Sequence, residues 1–143
     1  AVGEHYATKW EFRQMIEEEL LDYARIDLCI VGGLTEARKV ANWCETHYIK
    51  IVPHNPLGPV SAAACAHLDI ATDNFAVQEG GLVGRPVMED LFPVQLPYEA
   101  GCLLLPDAPG LGIEFNEEAA ASYEFKWLSG PQLRREDGSF TNW

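Results

Sequence analysis

An α/β architecture built on a parallel sheet is what this sequence predicts, and three observations carry the prediction. Short β-rich runs alternate with stretches whose apolar residues fall at helical spacing. The β-rich runs lead into Gly32-Gly33, Pro53 and Gln78-Glu79-Gly80-Gly81, which stop a strand. Successive strands are separated by a helix of about 12 residues, and a crossover of that length joins parallel neighbours.

The elements follow in order. Lys9 to Leu21 predicts a first helix, with Phe12, Met15, Ile16 and Leu20 on one stripe and Glu17, Glu18 and Glu19 toward water. Ile26 to Val31 predicts a strand that ends at Gly32-Gly33. That glycine pair lacks the rest of a phosphate-binding loop, so a helix-capping turn is the expectation. Thr35 then caps a helix reaching about His47, whose stripe is Ala37, Val40, Ala41, Cys44 and Tyr48. Ile49 to Val52 is the next strand and stops at Pro53. Ser61 caps an alanine-rich helix through Ala71, and Phe75 to Val77 is a further strand leading into Gln78-Glu79. Residues 1–79 therefore form one set of βα units. Residues 80–143 differ in texture: positions 80–112 hold five of the nine prolines and six of the twelve glycines, which predicts a long irregular excursion too apolar at Leu103, Leu104 and Leu105 to be a free linker. A short helix is expected near Asn116 to Ser122, before a polar tail closed by Trp143.

The 143 residues correspond to about one small domain. With 48% apolar and 22% charged residues, the composition is that of a soluble globular protein. The balance of 22 acidic against 10 basic residues, net −12, argues against nucleic-acid binding, which needs clustered positive charge. No apolar run approaches the roughly 18 residues of a membrane span, and the opening residues carry no signal-peptide pattern. Cys29, Cys44, Cys65 and Cys102 have no CxxC spacing and lie in apolar contexts, so buried free thiols in a reducing cytoplasm are expected. Ala1 is not a start methionine, and Ala-Val-Gly-Glu reads as the tail of a strand; the expectation is a piece of a longer polypeptide.

Four residues share a phase. Glu4, Asp27, His54 and Glu79 are separated by 23, 27 and 25 positions, and each lies just beyond the C-terminal end of an expected strand. In a parallel βα array those ends lie on one face, where four polar groups would converge. Carboxylates can hold a hard cation through oxygen, and a carboxylate beside an imidazole fixes its tautomer and raises its basicity. Such a set suits proton abstraction next to a carboxylate, with the imidazole as base and a divalent ion stabilising the charge. Plainer readings stand beside this one: an acid at a strand end as a helix cap or solvated loop residue, His54 as part of a rigid turn among Pro53, Pro56 and Pro59, and His5, His47 and His67 as structural or surface residues.

At these same residues the sequence resembles the C-terminal part of enolase-superfamily enzymes of the mandelate racemase and muconate lactonizing type, in particular the galactonate and gluconate dehydratases. The matching stretches are Val-Gly-Glu at 2–4, Asp27, Val-Gly-Gly-Leu-Thr-Glu-Ala-Arg-Lys at 31–39 and Pro-His-Asn-Pro-Leu-Gly-Pro-Val-Ser at 53–61. Gln78-Glu79, Pro-Gly-Leu-Gly-Ile-Glu at 109–114 and Arg-Glu-Asp-Gly-Ser at 135–139 complete them. The resemblance implies part of a (β/α)7β TIM-like barrel, with residues 1–79 supplying strands five to eight and 80–143 returning toward an α+β capping domain.

It further implies that Glu4 is one of three carboxylates binding Mg2+, that Asp27 orients His54, and that His54 is the general base or acid. Glu79 would hydrogen-bond the substrate carboxylate as it becomes an enediolate. The implied reaction removes the C2 proton of a sugar acid and eliminates the 3-hydroxyl to leave a 2-keto-3-deoxy acid. The other two metal carboxylates and the opposite-face acid or base belong to strands that this chain does not contain. Asp-Tyr-Ala-Arg at 22–25 resembles mannonate dehydratases, in which an arginine at the position of Arg25 contacts substrate; Arg25 as a salt-bridge partner is the plainer reading. Those enzymes lack an aspartate matching Asp27 and the His-Asn-Pro-Leu-Gly-Pro run, which favours the galactonate or gluconate type. Alternatives within the fold are a mannonate dehydratase or an α-hydroxy-acid racemase or epimerase, and outside catalysis a non-catalytic barrel homologue. Barrels of this family associate, so the resemblance also implies a homo-oligomer.

Overall fold

The structure, a computed structural model, describes residues 1–80, 87–105, 107–127 and 133–141. Residues 81–86 of the Pro/Gly-rich stretch and Trp143 lie outside the described residues.

The first turns after Gly3 lead to helix α1 (Arg13–Glu17), shorter than the 9–21 span expected. Thr8 begins the approach, its backbone N–H donating to the Glu11 carboxylate at 2.8 Å. Phe12 and Ile16 are buried as the stripe requires, whereas Leu20 is 56% exposed. Glu19 takes a positive φ of 52° there, which breaks the helical register before Leu20.

Strand β1 (Tyr23–Ala24) is followed at once by a one-turn helix, α2 (Leu28–Val31). The strand expected over 26–31 is therefore corrected: it ends earlier, and its apolar second half is helical. Asp27 is the cause. In extended conformation, it accepts hydrogen bonds from the backbone N–H groups of Cys29 and Ile30, which converts the apolar run into a capped turn. Gly32, at φ 110°, is both the C-cap of α2 and the N-cap of α3 (Gly33–Thr46). The capping turn expected at the glycine pair is present, and Thr35 lies inside the helix rather than at its cap. Ala37, Val40, Ala41 and Cys44 are all fully buried. Tyr48 is not on their stripe: the helix has ended, Tyr48 has φ 59°, and its ring is 97% exposed.

Strand β2 (Lys50–Ile51) lies within the expected 49–52 run. Helix α4 (Pro59–Ile70) starts two residues ahead of Ser61, because Pro59 at the first turn needs no N–H partner and is preset in φ. Ser61 is buried inside it.

The sheet is parallel. Val2 bridges Ala24, Tyr23 and Ala24 pair with Lys50 and Ile51, and Ile51 bridges Phe75. Four extended segments thus lie side by side in chain order, with α1, α3 and α4 in the connections. Phe12, Ile16, Ala24, Ile26, Val40, Ile51, Cys65 and Leu68 belong to one core cluster between sheet and helices.

The excursion is more regular than expected. Strands β3 (Tyr98–Glu99) and β4 (Cys102–Leu103) form an antiparallel hairpin. Its two turn residues, Ala100 and Gly101, both have positive φ, 49° and 87°, as a tight hairpin with right-handed twist demands. Helix α5 (Glu117–Ala121) falls where a helix was expected, with Asn116 accepting from the Ala119 N–H at its N-cap. Of the cysteines, Cys44 and Cys65 are buried free thiols, pushed up to about 12 by burial. Cys29 and Cys102 are exposed, which corrects the expectation of four buried thiols.

Candidate active site

The four phased residues sit at or just beyond the last rungs of the parallel sheet. The last rungs are Arg25 N–H to Val2 O (2.9 Å), His54 N–H to Ile26 O (2.8 Å) and Ala76 N–H to Ile51 O (3.0 Å). Glu4, Asp27, His54 and Glu79 follow on the strand ends that these rungs hold level. Three of them are brought into direct contact.

Asp27 is 2% exposed and uses both oxygens. Oδ1 accepts from the N–H groups of Cys29 (2.7 Å) and Ile30 (3.2 Å), and Oδ2 lies 2.9 Å from His54 Nδ1. A carboxylate only accepts, so Nδ1 carries a proton, and when the ring is neutral Nε2 presents its lone pair. That nitrogen is 3.9 Å from Glu79 Oε2, beyond hydrogen-bond length, and is not spent on Glu79. The His54 side chain keeps 17% of its surface exposed.

Glu79 is held from two sides. Its Oε1 is 2.5 Å from Arg25 Nη2, and its Oε2 accepts from the Asn55 backbone N–H at 2.9 Å. Arg25 is thus an ion-pair partner of Glu79. Its Nε is buried without a partner among the described residues, as are Asn55 Oδ1 and Gln78 Oε1. All three belong to residues that touch or adjoin Glu79, so this corner has unused hydrogen-bonding capacity directed away from solvent.

Glu4 stands apart from the dyad but in its field. A hydrogen bond with its own backbone holds its carboxyl below the ordinary carboxylate range, and the charges of Arg25, His5 and His54 add to this against partial burial. An ionised, partly exposed carboxylate is the donor type that a hard divalent cation takes. Among the described residues no group of three or more His, Cys, Asp or Glu side chains is arranged around a common point.

His47 and His67 lie elsewhere. His47 lies 3.7 Å from Glu19, and His67 Nε2 is 3.4 Å from the Leu111 carbonyl. Sequence reasoning did not foresee the parts played by Asn55 and Gln78. Asn55 acts here through its main chain, which no side-chain pattern reveals. Gln78 did leave a signal, as a long amide interrupting an apolar run immediately before Glu79.

Among curated proteins, D-mannonate dehydratase Caul1427 of Caulobacter sp. is 37% identical over 145 residues, covering 100% of this chain and 36% of its own length. A D-galactonate dehydratase family member of Streptomyces bingchenggensis is 38% identical over 146 residues, covering 100% of this chain and 35% of its own. The chain thus spans about a third of the curated relatives it matches. A solved enolase from Agrobacterium radiobacter, bound to sodium and L-malate, superposes with a TM-score of 0.85 at 29% identity, over 96% of this chain and 38% of that one. One from Pantoea ananatis with bound D-gluconate and magnesium gives 0.73 at 31% identity, over 81% and 28%. With residues 1–119 matching the enolase C-terminal domain-like model as well, the chain belongs to that family.

Proposed function

We propose that the native protein containing this chain is a Mg2+-dependent sugar-acid dehydratase acting on an aldonate such as galactonate or gluconate. In this reading residues 1–79 are strands five to eight of a (β/α)7β barrel, and 80–143 pack toward its capping domain. The observation that carries the reading is the Asp27–His54 pair: a buried carboxylate bonded to Nδ1 leaves Nε2 as a free, oriented base. The names of the relatives and the gluconate in a neighbouring structure support the substrate class.

His54 Nε2 takes the C2 proton, and Asp27 stabilises the imidazolium that results. Glu4 would be one ligand of Mg2+, which when bound supplies charge neutralisation at the substrate carboxylate. In its acid form Glu79 can donate a hydrogen bond to that carboxylate, and Arg25, its ion-pair partner in this structure, places a cation beside it. The acid for the departing 3-hydroxyl comes from outside this chain. Most of the rate must come from electrostatic stabilisation, since the α-proton is very weakly acidic.

The test is a panel of sugar acids incubated in heavy water with the native protein and Mg2+, following the C2 proton signal and 2-keto-3-deoxy acid formation. His54→Asn should lower turnover on the order of 10²- to 10⁴-fold while substrate still binds; unchanged turnover overturns the assignment. A second reading, mannonate dehydration, is favoured by the naming of relatives at 37% identity. Mannonate belongs in the same panel and decides between the two.

A further inference from the structure

The sheet rungs between β2 and the Phe75 segment stop short of the residues that matter. Their last backbone bond among the described residues is Ala76 N–H to the Ile51 carbonyl. Beyond it the two chains run on to His54 and Glu79 without a rung. Side-chain bonds take over: Asn55 N–H to Glu79 Oε2, and Gln78 Nε2 to the Pro53 carbonyl at 3.2 Å. Gln78 Nε2 also donates to the Glu79 carbonyl at 2.7 Å.

We infer that Gln78 is a positioning residue, an amide clamp that sets His54 against Glu79. This rests on the functional reading above. Its two N–H donors grip the carbonyl immediately before His54 and the carbonyl of Glu79 itself, so one planar group fixes the backbone of both. The orientation of the amide follows from its partners, because only the NH2 end can face two carbonyl oxygens. Proline at position 53 reinforces the arrangement: its ring restricts the backbone whose carbonyl Gln78 holds. Without the clamp, the two strand ends keep their folds but lose their mutual register, and the 3.9 Å spacing of His54 Nε2 and Glu79 Oε2 is no longer enforced.

Two variants of the native protein test this, Gln78→Glu and Gln78→Met. The first keeps shape and loses both donors; the second removes polarity. A misplacement of about 1 Å at a reacting group costs on the order of 10²-fold, so kcat should fall about tenfold to a hundredfold in both. The fall in kcat should exceed any rise in KM, and the melting temperature should hold, because the core is untouched. A kcat within about twofold of wild type in both variants overturns the inference. Loss of cooperative unfolding in both also overturns it, since Gln78 would then hold the fold rather than aim the site. Should the wild-type protein turn over no sugar acid, the functional reading fails by itself. The clamp is then decided by a crystal structure of Gln78→Glu: a His54–Glu79 separation displaced by roughly 1 Å supports it, and an unmoved pair refutes it.

Discussion

Asp27 holds two structures with one carboxylate, and the two can be separated by mutation. Oδ1 caps α2 and Oδ2 fixes His54. Asp27→Asn keeps an oxygen for the cap but removes the charge that stabilises an imidazolium. It should cost turnover on the order of 10²-fold with little change in melting temperature. Asp27→Ala should lose turnover as well and, with two backbone N–H groups left unpaired, about 1 kcal/mol of stability besides. Equal melting temperatures for the two variants would contradict the capping role. Asp69 makes a different prediction. Burial raises its carboxyl to about 7, and its Oδ1 has no partner among the described residues. Its folded pKa lies above its unfolded one, so the folded state is favoured most when the group is protonated. That advantage drains away as pH rises from about 4 to about 7 and is gone above. Asp69→Asn should therefore stabilise the protein at neutral and higher pH, by roughly 2–4 kcal/mol, and make no comparable difference near pH 4. Urea midpoints across that range check it. The phased acids and His54 were legible in the sequence because the βα repeat dictates where strand ends fall. The Asn55 N–H was not, and Gln78 showed only as a polar interruption, because their partners depend on which atoms meet after the strands are laid side by side.

Among the elements, the join between the Val2 segment and α1 is closely packed at Gly3. Gly3 has φ 127°, and a Cβ there would stand 2.4 Å from the Phe12 ring, itself fully buried against Tyr6. Gly3→Ala should destabilise by about 1–3 kcal/mol through this clash and the strained φ, and should displace Glu4 next to it. Thermal unfolding measures the first effect and Mg2+ affinity of the native protein the second. Element positions show where sequence reading reaches its limit. The helical stripe of Ala37, Val40, Ala41 and Cys44 predicted α3 well, because fourteen residues give the period time to show. The run at 26–31 is too short for its apolar residues to distinguish strand from helix, and the capping chemistry of Asp27 decided it.

For the whole molecule, the sheet has two outer edges. No backbone pairing covers the far side of the Val2 or Phe75 segments among the described residues. Large apolar side chains also face outward, including Trp10, Ile70, Phe125 and Trp127. Both features favour association through open edges and apolar patches. Residues 1–143 should therefore self-associate as concentration rises, and size-exclusion chromatography over a concentration series checks this. The pairing order carries a further consequence, for assembly in time. Every rung of the sheet joins a segment to its immediate predecessor or successor in the chain. Pairing in chain order of this kind suits folding during synthesis, each unit docking on the one just made. Glu4, Asp27, His54 and Glu79 then emerge from the ribosome in the order in which they are mounted. The Arg25–Glu79 pair, 54 positions apart, spans two units and is the contact that completes the set.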